Sequence, residues 1–207
     1  SFIGQNSTHG ASRLKTSQES TAISQLRFYG ADTSTAGILQ FTGSSSDGSV
    51  GGERMRISAD GEVTMPSQPA FSVTVNAAQN NIAINTDVVV VWGAETFDVG
   101  ANFASSEFTA PVTGKYQLNL ILRLDSIDTA ANYYIVSFFT SNRQYRFIYD
   151  PGGFSGDLDY WGTSLSVLAD MDASDTVYIS VNQAGGTAQT DIPNAASYSR
   201  FSGYLVA

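Results

Sequence analysis

Cysteine is absent from these 207 residues, and histidine occurs once, as His9. The first absence excludes disulfides, thiolate metal sites and cysteine catalysis. The second excludes a histidine-based triad beyond residue 9 and argues against a histidine-rich zinc site. Lysine appears only as Lys15 and Lys115, and charged residues make up 14%. Helix formers are therefore scarce, while Gly, Ser, Thr, Val and aromatic residues abound, which favours strands and tight turns. No run of about 18 apolar residues occurs, so no membrane-spanning helix is expected, and no signal peptide is visible. A chain that opens "SFIGQNSTHG", without Met, reads as a piece of something longer. The glycine-rich stretches "GGERMR" and "DPGGFSGD" lack the lysine and the following helix that a phosphate loop needs.

Charge is lopsided. Residues 1–66 hold six acidic and five basic side chains, and residues 67–207 hold thirteen acidic and five basic. An acidic second part argues against a nucleic-acid partner, which requires a basic footprint. It suits solubility or cation binding.

The prolines Pro66 and Pro69, in "TMPSQPAFSV", mark a stiff joint between an arm (residues 1–66) and a head (residues 67–207). The arm alternates polar and apolar residues in "SQLRFYG", "GILQFTG" and "ERMRISADGEVTM". The last reads as a hairpin with Asp60-Gly61 as a tight type I′ turn, both residues at positive φ. Its strands carry few large apolar side chains. A lone copy would not offset an ordering entropy of roughly 1–2 kcal/mol per residue, so several copies wound together are expected. The head shows nine short strand patterns: 70–75, 88–92, 107–110, 114–124, 132–140, 143–149, 160–168, 175–182 and 198–206. Such a series without helical period predicts an all-β antiparallel sandwich. "VVVVW" and "LILRL" are apolar at consecutive positions, which predicts a neighbouring subunit over the outer face.

The order Phe108, Gly114, Tyr116, with Trp92, Asp98 and Phe103 upstream and "DTVYISV" and "SRFSGYLVA" at the end, resembles the complement C1q-like globular domain. That domain is a jelly roll shared with the tumour-necrosis-factor family. The spacing from Phe103 to Phe108 is shorter than the usual pattern, and Leu118 and Leu120 stand where aromatics are expected. The arm's "LRFYG…GILQF…GERMRISADGEVTM" resembles shaft segments of bacteriophage tail fibres and tailspikes. Together the resemblances imply a homotrimer with an intertwined β-rich shaft and a jelly-roll head, on a virion and outside the cell.

If the last strand runs back toward the arm, loops 125–131, 150–159 and 183–197 share the far end. Loops on a rigid sandwich are where recognition sits. The residues expected to bind are Asp125, Asp128, Asp150, Phe154, Asp157, Asp159, Gln189, Asp191 and Asn194. Their chemistry suits a host-surface glycan, with a ring for the apolar sugar face and polar groups for its hydroxyls. The plainer reading is that Phe154 packs locally and the polar residues shape turns. Tyr160 and Trp161 read as the buried start of a strand. Asp150, Asp157 and Asp159 are spaced to suit a calcium ion; no other cofactor is expected. The paired carboxylates here and in "ADMDASD" keep a capsule-degrading glycoside hydrolase open as an alternative. A secreted or bacterial C1q-like binding module is another. The leading expectation is a non-enzymatic receptor-binding protein.

Overall fold

In the computed structural model, the structure describes the backbone of Phe2–Ile3, Ser12–Lys15, Gln25–Tyr29, Ile38–Ser44 and residues 50–207. His9 lies outside the described residues. The chain divides into two compact units, Ser1–Gln68 and Pro69–Ala207. No helix among the described residues is long and apolar enough to cross a membrane.

The first unit is one antiparallel meander of β1 (Phe2–Ile3), β2 (Ser12–Lys15), β3 (Gln25–Tyr29), β4 (Ile38–Ser44), β5 (Val50–Ile57) and β6 (Val63–Thr64), each paired with the next. The hairpin at Asp60-Gly61 exists, but its turn differs from the expected one. Ile57 pairs with Val63, so five residues separate the strands, and only Gly61 of the two has positive φ, at 92°. Ser58 and Glu62 bridge the loop, with the Glu62 N–H donating to Ser58 Oγ at 3.1 Å. That extra closure selects a longer loop over the two-residue turn.

The second unit is a sandwich of two antiparallel sheets. One has the order β15 (Leu158–Met171), β12 (Gly114–Ile127), β17 (Arg200–Leu205), β7 (Ala70–Thr74), β9 (Ala94–Val99). The other has the order β10 (Phe103–Ala104), β11 (Glu107–Thr109), β16 (Thr176–Gly185), β13 (Ala131–Thr140), β14 (Gln144–Tyr149), with β8 (Val88–Val89) also on β16. The chain crosses repeatedly between sheets, and the first and last strands pair side by side, so the unit is an antiparallel jelly roll. Strands β9 and β10 escape the sequence patterns. β9 is an exposed edge strand carrying a bulge opposite Ser72 and Val73, so its side chains do not alternate.

Alternation explains the core. Tyr116, Leu118, Leu120, Leu122 and Leu124 of β12 all point inward and are fully buried, while Ile121 between them is 51% exposed. Across the gap lie Tyr134, Val136 and Phe138 of β13 and Val177, Ile179 and Val181 of β16. A ring cluster joins the sheets: Phe71 stacks on Phe108 at 4.5 Å and on Phe103 at 5.2 Å, with Phe201 edge-on at 4.9 Å. Asp98 accepts hydrogen bonds from the N–H groups of Asn102 and Phe103, shaping the turn that delivers Phe103. The residues of the C1q-like pattern are thus core and turn residues.

Gly114 has a local reason. A Cβ there would lie 2.5 Å from the Ala207 carbonyl oxygen and from Leu205 Cδ1. That oxygen is pinned, because Lys115 N–H donates to it at 2.7 Å. Gly114→Ala is therefore expected to lower stability by about 1–3 kcal/mol through overpacking. Gly153→Ala, where nothing lies within 4 Å, is the control and should leave the melting temperature nearly unchanged in thermal denaturation.

Candidate functional site

Strand pairing fixes which loops meet. Tyr204 pairs with Ala70 and Gly114 with Met171, so the end where the chain enters this unit also holds the loops after β14's predecessor β13 and after β15. Arg200 pairs with Thr74 and Ile127 with Leu158, which sets the loops 127–131, 150–157 and 185–199 at the opposite end. Segment 76–87 joins them: Ile82 N–H donates to Thr190 O at 2.9 Å, and Gln79 and Ile192 pair as an isolated bridge. We call this the distal end. Alternation cannot reveal segment 76–87, because it is nearly all loop.

A buried polar knot holds the distal end. Asp128 is 2% exposed, and Gln183, Thr190 and Tyr134 are fully buried. The Asp128 carboxylate accepts from the N–H groups of Thr187, Ala188 and Ala130. Its own N–H donates to Tyr134 Oη at 3.0 Å, and that hydroxyl meets Thr190 Oγ1 at 2.7 Å. Gln183 spans the same loop, donating to Ala188 O at 2.7 Å and accepting from Thr190 N–H at 3.1 Å. Burying polar groups is costly unless they are satisfied in this way. Burial pushes the Asp128 carboxyl up, but the three backbone amides outweigh it and hold the group below its ordinary range.

The other expected residues fall into several roles. Asp150 caps the short turn Pro151–Gly153, accepting from Gly152 N–H at 2.8 Å. Asp157 accepts from Thr129 N–H and Oγ1, both at 2.8 Å. Asp191 accepts from Asn81 N–H at 2.6 Å, and Gln189 donates to Asn81 O and Ile82 O. Phe154 is 43% exposed and lies edge-on to Trp161 at 5.5 Å. Asp159 and Asn194 are exposed. Among the described residues no three acidic, cysteine or histidine side chains gather to hold a metal ion. Asp150, Asp157 and Asp159, expected to share a calcium ion, form no such group among the described residues.

Asp125 leads to a feature the sequence reading missed. Its carboxylate grips Arg123 with two bonds, Nε–Oδ1 at 2.6 Å and Nη2–Oδ2 at 2.9 Å. The Arg123 guanidinium lies 4.5 Å from the Tyr160 ring and 5.5 Å from the Tyr198 ring. Asp125 strengthens its proton affinity further. Arg123, Tyr160 and Tyr198, with Ile121 and Gly162, line a groove of about 430 Å³ on the outer face of the β12 sheet. Tyr160 is 67% exposed, which corrects the expected burial: it pairs with Asp125 on the outward side of β15, while Trp161 points inward and stacks on Tyr149 at 5.3 Å. Gly162 was a legible clue, since a glycine inside a strand often marks close approach by another body. A Cβ there meets nothing within 4 Å among the described residues, so none of them requires the glycine.

No protein-family model matches the chain, and no curated protein matches it. Among solved structures, the globular domain of zebrafish complement 1qA protein is 16% identical, with TM-score 0.46, covering 68% of this chain and 98% of that one. A crystal structure of murine APRIL is 12% identical, with TM-score 0.48, covering 67% and 99%. The jelly roll rests on the strand order above, and these likenesses add nothing about function.

The knot has a pH signature. The ionised Asp128 is the favoured form, so its stabilisation is complete above the ordinary carboxylate pKa of about 4 and is lost as pH falls through the lowered value. Asp128→Asn should be destabilising by roughly 1–3 kcal/mol near neutral pH, because a buried side chain then pairs less well with the loop amides around it. Thermal melts of the two proteins between pH 7 and 2.5 should show the gap closing only at the acid end.

Proposed function

We propose that the chain is the distal part of a bacteriophage tail fibre or related receptor-binding protein, a homotrimer that binds a host-surface glycan without chemistry. The observation that carries this reading is the distal end itself. Loops from separate stretches of sequence are tied into one surface opposite the point where Pro69 brings the chain in. A pinned surface on a rigid sandwich suits recognition, because little ordering remains to be lost on binding. It presents Phe154, Asp159, Gln189 and Asn194 outward.

The outer face of the β12 sheet supports the trimer. Ile121, Tyr160, Tyr198, Leu168 and Tyr204 are each about half exposed or more on it. At one side of the sandwich, Tyr145, Phe147, Trp161, Leu165 and Val167 are covered only in part. Apolar surface of this kind marks an interface. The first unit, a six-stranded meander with exposed Val63 and Met65, suits a shaft built from several chains.

Two experiments test the reading. Native mass spectrometry should give three times the chain mass of 22.0 kDa. Gly162→Leu should leave the circular-dichroism spectrum of a β protein intact yet shift the mass to one chain, because the groove it fills is open within a single copy. Excess purified protein should also block phage adsorption to host cells, and soluble host polysaccharide should block it too. Adsorption that continues unchanged defeats the receptor-binding reading.

A further inference from the structure

We infer that the distal loops form one coupled surface whose hub is the turn at residues 127–131, so that loop 150–157 and loop 185–190 cannot order or loosen independently. The bearing of this on recognition rests on the receptor-binding reading above. Neighbouring residues of the turn grip loops from different regions. Asp128 accepts from Thr187 and Ala188 in one loop. Thr129 donates twice to Asp157 in the other, both bonds at 2.8 Å. The turn closes on itself through Ala130 N–H to Asp128 Oδ1 at 2.8 Å and Ala131 N–H to Asp128 O at 3.1 Å. It is anchored at both ends in the core, by Ile127 at 1% and Ala131 at 4% exposure.

The loops it grips differ. Residues 185–189, Gly-Gly-Thr-Ala-Gln, offer no large apolar side chain to the core, and Thr187, Ala188 and Gln189 are exposed. Their order therefore depends on hydrogen bonds, chiefly to Asp128 and Gln183. Gly185 and Gly186 both have positive φ, at 72° and 96°. A Cβ on Gly186 would sit 2.5 Å from Asp128 Oδ2, so the loop closes tightly over the carboxylate. Asp157 is exposed, and among the described residues its side chain hydrogen-bonds to Thr129. Releasing it frees the Thr129 amide and hydroxyl one residue from the carboxylate that holds the other loop. Residues that share one hydrogen-bond network in this way are energetically coupled.

The test is residue-resolved amide hydrogen exchange on the full chain at neutral pH, comparing wild type with Asp157→Ala. Exchange at Thr187 and Ala188, which Asp157 does not touch, should quicken roughly tenfold, while amides in the middle of β12 and β16 keep their protection. Thr129→Val, which retains the backbone bond, should give a smaller rise at the same two amides. Faster exchange confined to residues 129–131 would overturn the inference by showing that the loops are independent. A uniform loss across β12 and β16 would overturn it too, since Asp157 would then serve the fold. Receptor binding plays no part in this readout, so its failure leaves the receptor-binding reading untouched.

Discussion

The ring cluster at Phe71 is the contact on which the rest depends. Phe71 and Phe201 belong to one sheet, Phe103 and Phe108 to the other, and their rings meet between 4.5 and 6.1 Å. Aromatic rings bury large apolar area and fix relative geometry at the same time. Here they set the spacing of the two sheets near the strands where the chain enters and ends. Without that spacing the long strands β12 and β15 would have no fixed partner sheet, and the loops at their far ends no fixed positions.

The buried residues change in character along the sandwich. Its interior is apolar and close-packed through β12, β13 and β16, but the distal end is closed by polar residues that are just as buried. Asp128, Gln183, Tyr134 and Thr190 satisfy one another and the loop amides, beside the buried Ile82 and Ile192, so directional bonds add definition to the apolar packing there. Buried polar groups of this sort confer a specific conformation only while every member is paired. The distal loops are thus held by directional bonds as well as by burial, whereas the middle of the sandwich is ordered chiefly by burial.

The outer face of the β12 sheet is of a different kind. Gln117 bonds to Ser166 at 2.7 Å, and Ser166 to Asn119 at 3.0 Å, making a polar belt across its middle. Toward the distal end the face becomes aromatic around Arg123, and toward the other end Leu168 and Tyr204 stand exposed. A guanidinium stacked on rings and held by a carboxylate keeps its direction with little freedom left to lose. Ile121 and Gly162 beside it complete a shape that the single chain leaves open.

Much of the sandwich could be read from residue order alone. Alternation in β12 separates buried Leu118, Leu120 and Leu122 from exposed Ile121 because the side-chain period of a strand is two. The spacing of turn residues located most strands, and the alternation of connections assigned the loops to opposite ends. What a residue does within those loops was not legible. Asp125, Asp128, Asp150 and Asp157 look alike in sequence, yet one clamps Arg123, one is buried under two loops, one caps a turn and one holds Thr129. Tyr160 and Trp161 are adjacent and similar, and face opposite sides of the sheet. The period of the chain sets which residues share a face; which face is covered, and which amide a carboxylate reaches, depends on contacts between segments far apart in sequence, such as Asn81 with Asp191, and those exist only once the two sheets have closed.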